Sequence, residues 1–305
     1  MKKYFTIDVG GTELKWAVMD DELNKYENGY VPTPLDSFEQ FAETVKAVYE
    51  PFKEEVEGIA LSLPGFIDIT NGYQAGGGAL TYNHRRYVGR ELKAYCGCPV
   101  VLENDGKAAA TAEYYKGVLQ GCQNAAVFVI GTGVGGGLII NHEVVRGPHF
   151  TAGEFSFLNT NKDEFNSGFS AILAGSCSTP SLLGTYKALS GSEEDIDGRE
   201  FFRRLPEDEA AQKALEMFGY NVAVAAYNLY WLLDIEKLAI GGGISKAPAL
   251  TEEIRRQFEK LKTEGPLAFM LSTMDLDIVT CQFSNDANLI GAMMAFINNV
   301  DKLTY

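Results

Sequence analysis

The sequence predicts a two-domain α/β protein assembled by duplication, and three observations carry that prediction. The first is FTIDVGGTELKWAVMD at 5–20, where strands over 5–9 and 14–19 flank the turn Gly10-Gly11-Thr12. The second is QNAAVFVIGTGVGGGLIIN at 123–141, where strands over 125–130 and 137–140 flank Gly131-Thr132-Gly133 in the same arrangement. The third is length: 305 residues exceed the usual size of one domain, so two domains are the natural expectation. A Gly-Gly pair between strands is a hairpin signal, because turns that match strand twist need positive φ, which glycine adopts without steric cost. One such ribbon opens each half of the chain, and a nucleotide is expected between the halves.

The first ribbon gathers unusual chemistry. Asp8 ends its first strand, Thr12 sits in the turn and Lys15 follows. Bare glycine backbone, a hydroxyl and a cation beside one carboxylate suit a phosphate chain with its Mg²⁺. In the second ribbon Gly131, Gly133 and Gly136 satisfy G-x-G-x-x-G after a strand. That dinucleotide fingerprint requires a helix to open at the third glycine, so that its N-terminus meets the pyrophosphate. Here the chain continues GLIINHEVVRG, which is β-like, and the Rossmann reading fails.

The remaining elements follow in order. Residues 25–31 read as a third strand at the sheet edge. Phe38, Phe41, Val45, Val48 and Tyr49 recur at helical spacing, predicting an amphipathic helix over 37–53 with Ser37 as N-cap. A buried strand over 58–63 ends at Pro64-Gly65, and the Gly-rich excursion FIDITNGYQAGGGALTYNHRR follows. Irregular loops of this length are usually functional or disordered. Tyr73, Tyr82, Asn83 and His84, which stack and hydrogen-bond, favour function here. A helix over 88–95, a strand over 99–103 and a helix from Asn104-Asp105 through Tyr115 complete the first half. In the second, 143–147 and the loop HFTAGEFSFLNTN follow the ribbon. Residues 165–190 mix turns with short helices, and 192–199 read as an exposed charged loop. The strongest helix is expected over 207–234, where Leu215, Phe218, Val222, Ala225, Leu229 and Leu232 form one apolar stripe. A strand over 238–240 then lands on Gly241-Gly242-Gly243, followed by a helix over 248–261, a strand over 277–280 and a helix over 286–299.

Composition narrows the class. With 46% hydrophobic and 22% charged residues the chain has the make-up of a globular enzyme. A net charge of −15 and no basic run argue against nucleic acid as partner, since phosphate-backbone binding needs clustered Lys and Arg. No apolar run approaches the roughly 20 residues of a membrane span. MKKYFTIDVGG enters a strand directly without a signal peptide, so the cytoplasm is expected. Cys96, Cys98, Cys122, Cys177 and Cys281 are odd in number and scattered, and read as reduced thiols.

Asn104 and Asp105 follow the strand PVVLE and open a helix. Both are ordinary caps. At the C-terminal end of an α/β strand, however, Asp105 is also placed to take the proton from an alcohol that attacks a phosphoryl group. Glu154 in Ala152-Gly153-Glu154 suits two neighbouring sugar hydroxyls, because a carboxylate accepts at both oxygens. Gly241-Gly242-Gly243 lets a flat ring approach the backbone, and Gly291 in the last helix permits close packing.

Taken together, DVGGTELK (8–15), LPGFID (63–68), END (103–105), GTGVGGGLI (131–139), AGE (152–154), GGGIS (241–245) and LIGA (289–292) form an ordered set. The set resembles the ROK (repressor, open reading frame, kinase) family of sugar kinases over nearly the whole chain. The resemblance implies the actin-like ATPase fold of hexokinase type (ribonuclease H-like), with two lobes closing over sugar and MgATP. Residues 1–120 with a returning helix at 287–305 would form one lobe and 121–286 the other. It implies ATP-dependent phosphorylation of a sugar hydroxyl, the 6-hydroxyl of a hexose, amino sugar or β-glucoside, by a homodimer. Asp8 would position Mg²⁺. Gly10, Gly11, Thr12, Lys15, Thr132 and Gly133 would hold phosphates, and Gly242 and Gly243 would flank adenosine. Asp105 would be the base, with Asn104 and Glu154 on sugar hydroxyls. Gly77, Gly78 and Asn83 would accommodate a larger sugar.

The departures define a branch. Many family members follow AGE with Gly-His and a cysteine cluster that binds a structural zinc. Here AGEFSF puts Ser156 and Phe157 at those positions, and only Cys177 follows nearby. No zinc is expected, which is the pattern of a branch that includes β-glucoside kinases. The family's NDAN reads NDGK, with Gly106 and Lys107. Two alternatives stand beside the kinase: a non-catalytic sugar-binding protein, and a sugar-sensing regulator. The acidic charge and the lack of a helix-turn-helix ahead of Tyr4 weigh against the regulator.

Overall fold

The computed structural model describes residues 1–160, 168–264, 268–271 and 273–305. In chain order its strands and helices begin with β1 (Lys3–Val9), β2 (Glu13–Asp20), β3 (Lys25–Pro32), α1 (Phe38–Tyr49), β4 (Ile59–Leu63), β5 (Phe66–Asp68) and β6 (Tyr73–Gly76). Then come α2 (Val88–Cys96), β7 (Val100–Asn104), α3 (Asp105–Lys116), β8 (Ala125–Ile130), β9 (Val134–Ile140), β10 (Glu143–Val145), α4 (Leu173–Cys177) and α5 (Thr179–Ser190). The chain ends with α6 (Gly198–Arg204), α7 (Glu209–Leu233), β11 (Lys237–Gly241), α8 (Pro248–Glu264), α9 (Ala268–Leu271), β12 (Asp277–Thr280) and α10 (Ala287–Asn299). Two compact units result. One comprises residues 1–115, 146–152 and 286–305, and the other 116–145 and 153–285.

The first unit is built on a five-stranded sheet of order β3-β2-β1-β4-β7, antiparallel across β1–β2–β3 and parallel across β1–β4–β7. The strands IALSL and VVLEN are buried at every position, as parallel strands covered on both faces must be. Phe5, Ile7 and Leu61 from the sheet pack with Phe38 and Phe41 of α1 into its core. The helix α10 lies directly on α3: a Cβ at Gly291 would stand 1.8 Å from the carbonyl oxygen of Ala108, so only glycine fits.

The second unit repeats the plan with sheet order β10-β9-β8-β11-β12, again antiparallel on one side of β8 and parallel on the other. Identical strand order in both units is the structural form of the predicted duplication. Phe128, Leu215, Phe218, Val222 and Leu229 meet in its core.

Several expectations change. The first helix stops at Tyr49 and continues as a 3-10 turn over Glu50–Phe52, because Pro51 cannot donate within an α-helix. The excursion expected to be irregular contains the β5–β6 hairpin and a 3-10 turn at Thr81–Asn83. The charged segment ends in α6, whose N-cap Asp197 accepts from Glu200 N–H at 2.8 Å. Leu232 is 76% exposed rather than part of the core stripe. The start of the 165–190 stretch, including Phe165 and Asn166, lies outside the described residues.

Candidate active site

In the first unit the β1–β2 turn closes through Gly10 N–H to Glu13 C=O at 2.9 Å. Thr33 braces it, donating from N–H to Thr12 C=O (2.9 Å) and from its hydroxyl to Gly10 C=O (2.8 Å). Neither Gly10 nor Gly11 has positive φ, and neither do Gly131 and Gly133, so the conformational reason for these glycines fails. The reason is space. A Cβ at Gly10 would crowd Glu13 C=O at 3.0 Å, while at Gly11 it would project where no atom stands within 4 Å. The turn presents bare backbone, as a phosphate cradle requires.

Asp8 faces Lys15 across the ribbon, and Asn288 donates to its Oδ1 at 3.0 Å. Burial pushes this carboxyl above its ordinary range, against the hydrogen bond from Asn288 and the charge of Lys15. Lys15 itself is held by Asp286 at 2.8 Å, and Lys25 reaches the same carboxylate at 2.6 Å. The sequence shows no pairing between these distant positions.

Asn104 and Asp105 stand where β7 becomes α3. The Asn104 side chain caps the helix by accepting from Lys107 N–H at 3.0 Å, and its amide donates to Gly65 C=O (3.0 Å) and Asp105 Oδ1 (2.9 Å). Gly106 N–H also donates to Asp105 Oδ1, at 2.8 Å. The cap reading and the functional reading therefore coexist: Asn104 caps, and in doing so orients the aspartate. Behind them lies a pair that sequence reasoning missed. Glu103, fully buried, accepts from Asn104 N–H at 2.9 Å through one oxygen and from Arg146 Nε at 3.0 Å through the other. A carboxylate in an otherwise apolar buried strand was the available signal, since a buried charge requires a partner.

The loop at Gly77 and Gly78 crosses Pro64-Gly65. Gln74 Nε2 donates to Pro64 C=O (3.0 Å) and Gly77 C=O (3.3 Å), and His84 Nε2 lies 2.8 Å from the same Gly77 oxygen. Both glycines have φ near +75°, and a Cβ at Gly78 would meet Pro64 at 2.7 Å. Their glycine identity is thus set by the crossing. Asn83, expected to help accommodate a larger sugar, is fully buried, and its amide oxygen and nitrogen have no protein partner. Its neighbours Leu80 and Tyr82 fold inward, Tyr82 onto Phe41, and carry the turn with them.

In the second unit, Gly131, Thr132, Arg199, Phe202, Gly243 and Lys246 line a cavity of about 530 Å³. Bare backbone, a hydroxyl, two cations and an aromatic ring are a set that can receive a nucleotide. Of the two glycines expected there, Gly243 opens onto the cavity, and a Cβ on it would meet nothing within 4 Å. Gly242 does not line it; φ of +95° and a Cβ position 2.1 Å from Ile130 C=O make that glycine a requirement of the strand–helix turn. Arg199 and Phe202 were missed because 192–199 was read as loop and 200–206 was assigned no element. Glu154 is half-buried and precedes the 3-10 turn Phe155–Phe157, beside the β8–β9 ribbon that carries Gly133.

The comparisons with known proteins agree with one another. The ROK family model matches residues 4–299. A β-glucoside kinase of Listeria monocytogenes is 29% identical over 304 residues, covering 98% of this chain and 99% of that protein. An N-acetyl-D-glucosamine kinase of Vibrio atlanticus is 28% identical over 275 residues, covering 84% and 89%. The crystal structure of a ROK family protein from Streptococcus pneumoniae in complex with sucrose matches with a TM-score of 0.86 at 28% identity, over 98% of this chain and 99% of that one. The fold is the actin-like ATPase fold of these proteins. Ordered motifs, twin sheets and a match spanning nearly every residue lead to one conclusion: the chain belongs to the ROK family.

Proposed function

We propose that this protein transfers the γ-phosphate of ATP to a sugar hydroxyl, the 6-hydroxyl of a hexose, an amino sugar or a β-glucoside. The observation that carries the reading is the Asn104–Asp105 junction: a half-buried carboxylate oriented by an amide and a backbone N–H at a strand's C-terminal end. Asp105 takes the proton of the attacking hydroxyl, and Asn104 and Glu154 bind sugar hydroxyls. Gly77 and Gly78 border the sugar. Asn83, buried with its amide unpaired, would gain its missing partners from the sugar, offsetting the roughly 1–3 kcal/mol that a buried unmade hydrogen bond costs. In the first unit Gly10, Gly11, Thr12 and Lys15 hold phosphates. In the second, Thr132 and Gly133 do the same and Gly243 borders adenosine, with Gly242 shaping the turn.

Asp8 is the residue that would hold Mg²⁺. Among the described residues no cluster of three acidic, His or Cys side chains forms a metal cage. One carboxylate beside a bare phosphate turn fits an ion that is usually bound by one or two carboxylates plus substrate phosphates and water. When bound, the ion neutralises charge on the phosphates. A structural zinc is not part of the proposal: Ser156 and Phe157 stand where the zinc-binding members have Gly-His, and only Cys177 follows nearby. We place the protein in the cytoplasm, where its five cysteines would stay reduced, and assign it no nucleic-acid or membrane partner.

We also assign it a homodimeric state, supported by α7. Met217, Tyr220, Val224, Tyr227 and Trp231 recur at alternating spacings of three and four, the pattern of a helix seam; Met217, Tyr220 and Trp231 are exposed, and half-buried Tyr227 also packs against the core. A second copy offers the same stripe, as an isologous contact needs.

The test is ATP consumption with glucose, N-acetylmannosamine, mannose, fructose and cellobiose, followed by Asp105→Asn. That substitution is expected to lower turnover by about 10²-fold or more while sugar affinity survives. Near-normal turnover would remove Asp105 from the chemistry, and no ATP use with any sugar would favour a non-catalytic sugar-binding protein.

A further inference from the structure

The segment after Ala152 lies along the β8–β9 ribbon and touches it at three points. A Cβ on Gly153 would stand 3.0 Å from Gly137 Cα, so the two backbones meet without side chains between them. Phe155 fills the room in front of Gly136, where a Cβ would be 2.9 Å from its ring, and packs edge-on to Phe128 at 4.6 Å between centroids. Ser156 reaches the turn itself. Its Oγ accepts from Val134 N–H at 2.8 Å and donates to Val134 C=O at 3.2 Å. A Cβ on Gly133 would lie 2.7 Å from that oxygen, so the hydroxyl occupies the room that Gly133 leaves. One side chain thus binds both backbone polar groups of the residue that follows Gly131-Thr132-Gly133. A hydroxyl can do so because it carries a donor and acceptor lone pairs on one atom, and neither glycine nor alanine can replace it.

We propose that Ser156 is a positioning residue that couples the Glu154 segment to the phosphate turn, so that sugar and nucleotide each raise the other's affinity. The inference rests on the roles assigned above to Glu154 and to Thr132–Gly133. Glu154 and Ser156 are separated by one residue at the start of a 3-10 turn. A sugar that orders Glu154 therefore orders Ser156 and, through it, the backbone of Val134. Linkage makes the effect reciprocal: phosphates that order the turn order the sugar-binding segment by the same factor.

Calorimetric titration of the full chain with Mg²⁺ and a non-hydrolysable ATP analogue tests this, with and without saturating glucose or cellobiose, whichever drives the greater ATP consumption. In the wild type, sugar is expected to tighten the analogue about tenfold. In Ser156→Ala and in Ser156→Gly that ratio falls about two- to tenfold, the worth of a hydrogen bond or two, while affinity for sugar alone changes little. A wild-type ratio of one with both ligands bound overturns the proposal. So does an undiminished ratio in either variant, including one accompanied by a lowered melting temperature, which would leave Ser156 a purely structural residue. Failure of the wild type to bind either ligand counts instead against the function proposed above.

Discussion

Glu103 shows how one buried side chain can hold its surroundings through both oxygens. It is fully buried near the C-terminal end of β7, beside the Asn104–Asp105 junction, with one oxygen on Asn104 N–H and the other on Arg146. Removing one partner of a buried pair leaves a stranded charge, which costs more than the pair itself is worth. Arg146→Ala is accordingly expected to lower the unfolding free energy by about 3 kcal/mol, and Glu103→Gln in that background to restore part of it. Urea denaturation checks both; a loss of a few tenths in Arg146→Ala would refute the reading. A second carboxylate predicts a pH response. Burial pushes the Asp286 carboxyl up, but hydrogen bonds and charge from Lys15 and Lys25 outweigh it and hold the group below its ordinary range. A carboxyl depressed in the folded state adds stability above its unfolded pKa, and that stability is lost as pH falls through the folded one. Melting curves from pH 5 downward should show a loss beginning near pH 4 that is smaller in Asp286→Asn. An identical acid limb in the variant would contradict the assignment. Asp8 has the opposite sign: raised by burial, its ionised form is a cost that grows as pH rises through its pKa, carried at the position proposed to hold Mg²⁺.

At the scale of elements, two adjacent glycines separate structure from function. The turn after β11 forces Gly242 to φ of +95° against Ile130 C=O, whereas Gly243 opens onto the cavity with nothing in its way. Gly242→Ala is expected to destabilise by about 2 kcal/mol or more, through overpacking and an unfavourable backbone conformation. Gly243→Ala should keep stability within about 0.5 kcal/mol and raise the KM for ATP several-fold. Equal effects of the two on melting temperature would refute the distinction. Both glycines read alike in sequence, because GGG carries no record of which Cα faces a carbonyl and which faces space. The ribbons illustrate the same limit: their positions were legible from alternating strands around Gly-Gly and Gly-Thr-Gly, but what stands near Gly10 and Gly133 is Glu13 C=O and Ser156 Oγ, and none of these glycines has positive φ. Helix α6 was missed since GREFFRR is short, charged and capped by an aspartate within a polar run.

At the scale of the molecule, the exposed stripe on α7 predicts that the protein sediments as a dimer. Tyr220→Glu combined with Trp231→Glu, at positions 48% and 52% exposed, should convert it to a monomer with unchanged helical content. A wild type that sediments as a monomer at micromolar concentration, or a dimer insensitive to the pair, would dispose of that interface. The fold itself was largely determined by sequence: hydrophobic alternation and turn residues are local properties, so the ribbons, buried strands, long core helix and duplicated order could be read residue by residue. The position of Asp105, the proposed base, was legible too, because its place at a strand end is a matter of adjacent residues. Tertiary structure alone decided which distant groups meet. Arg146 finds Glu103, Asp286 gathers two lysines, Ser156 clasps Val134, and Asn83 turns inward. These choices depend on packing vectors and burial across segments far apart in the chain, and no local pattern of residue types encodes them.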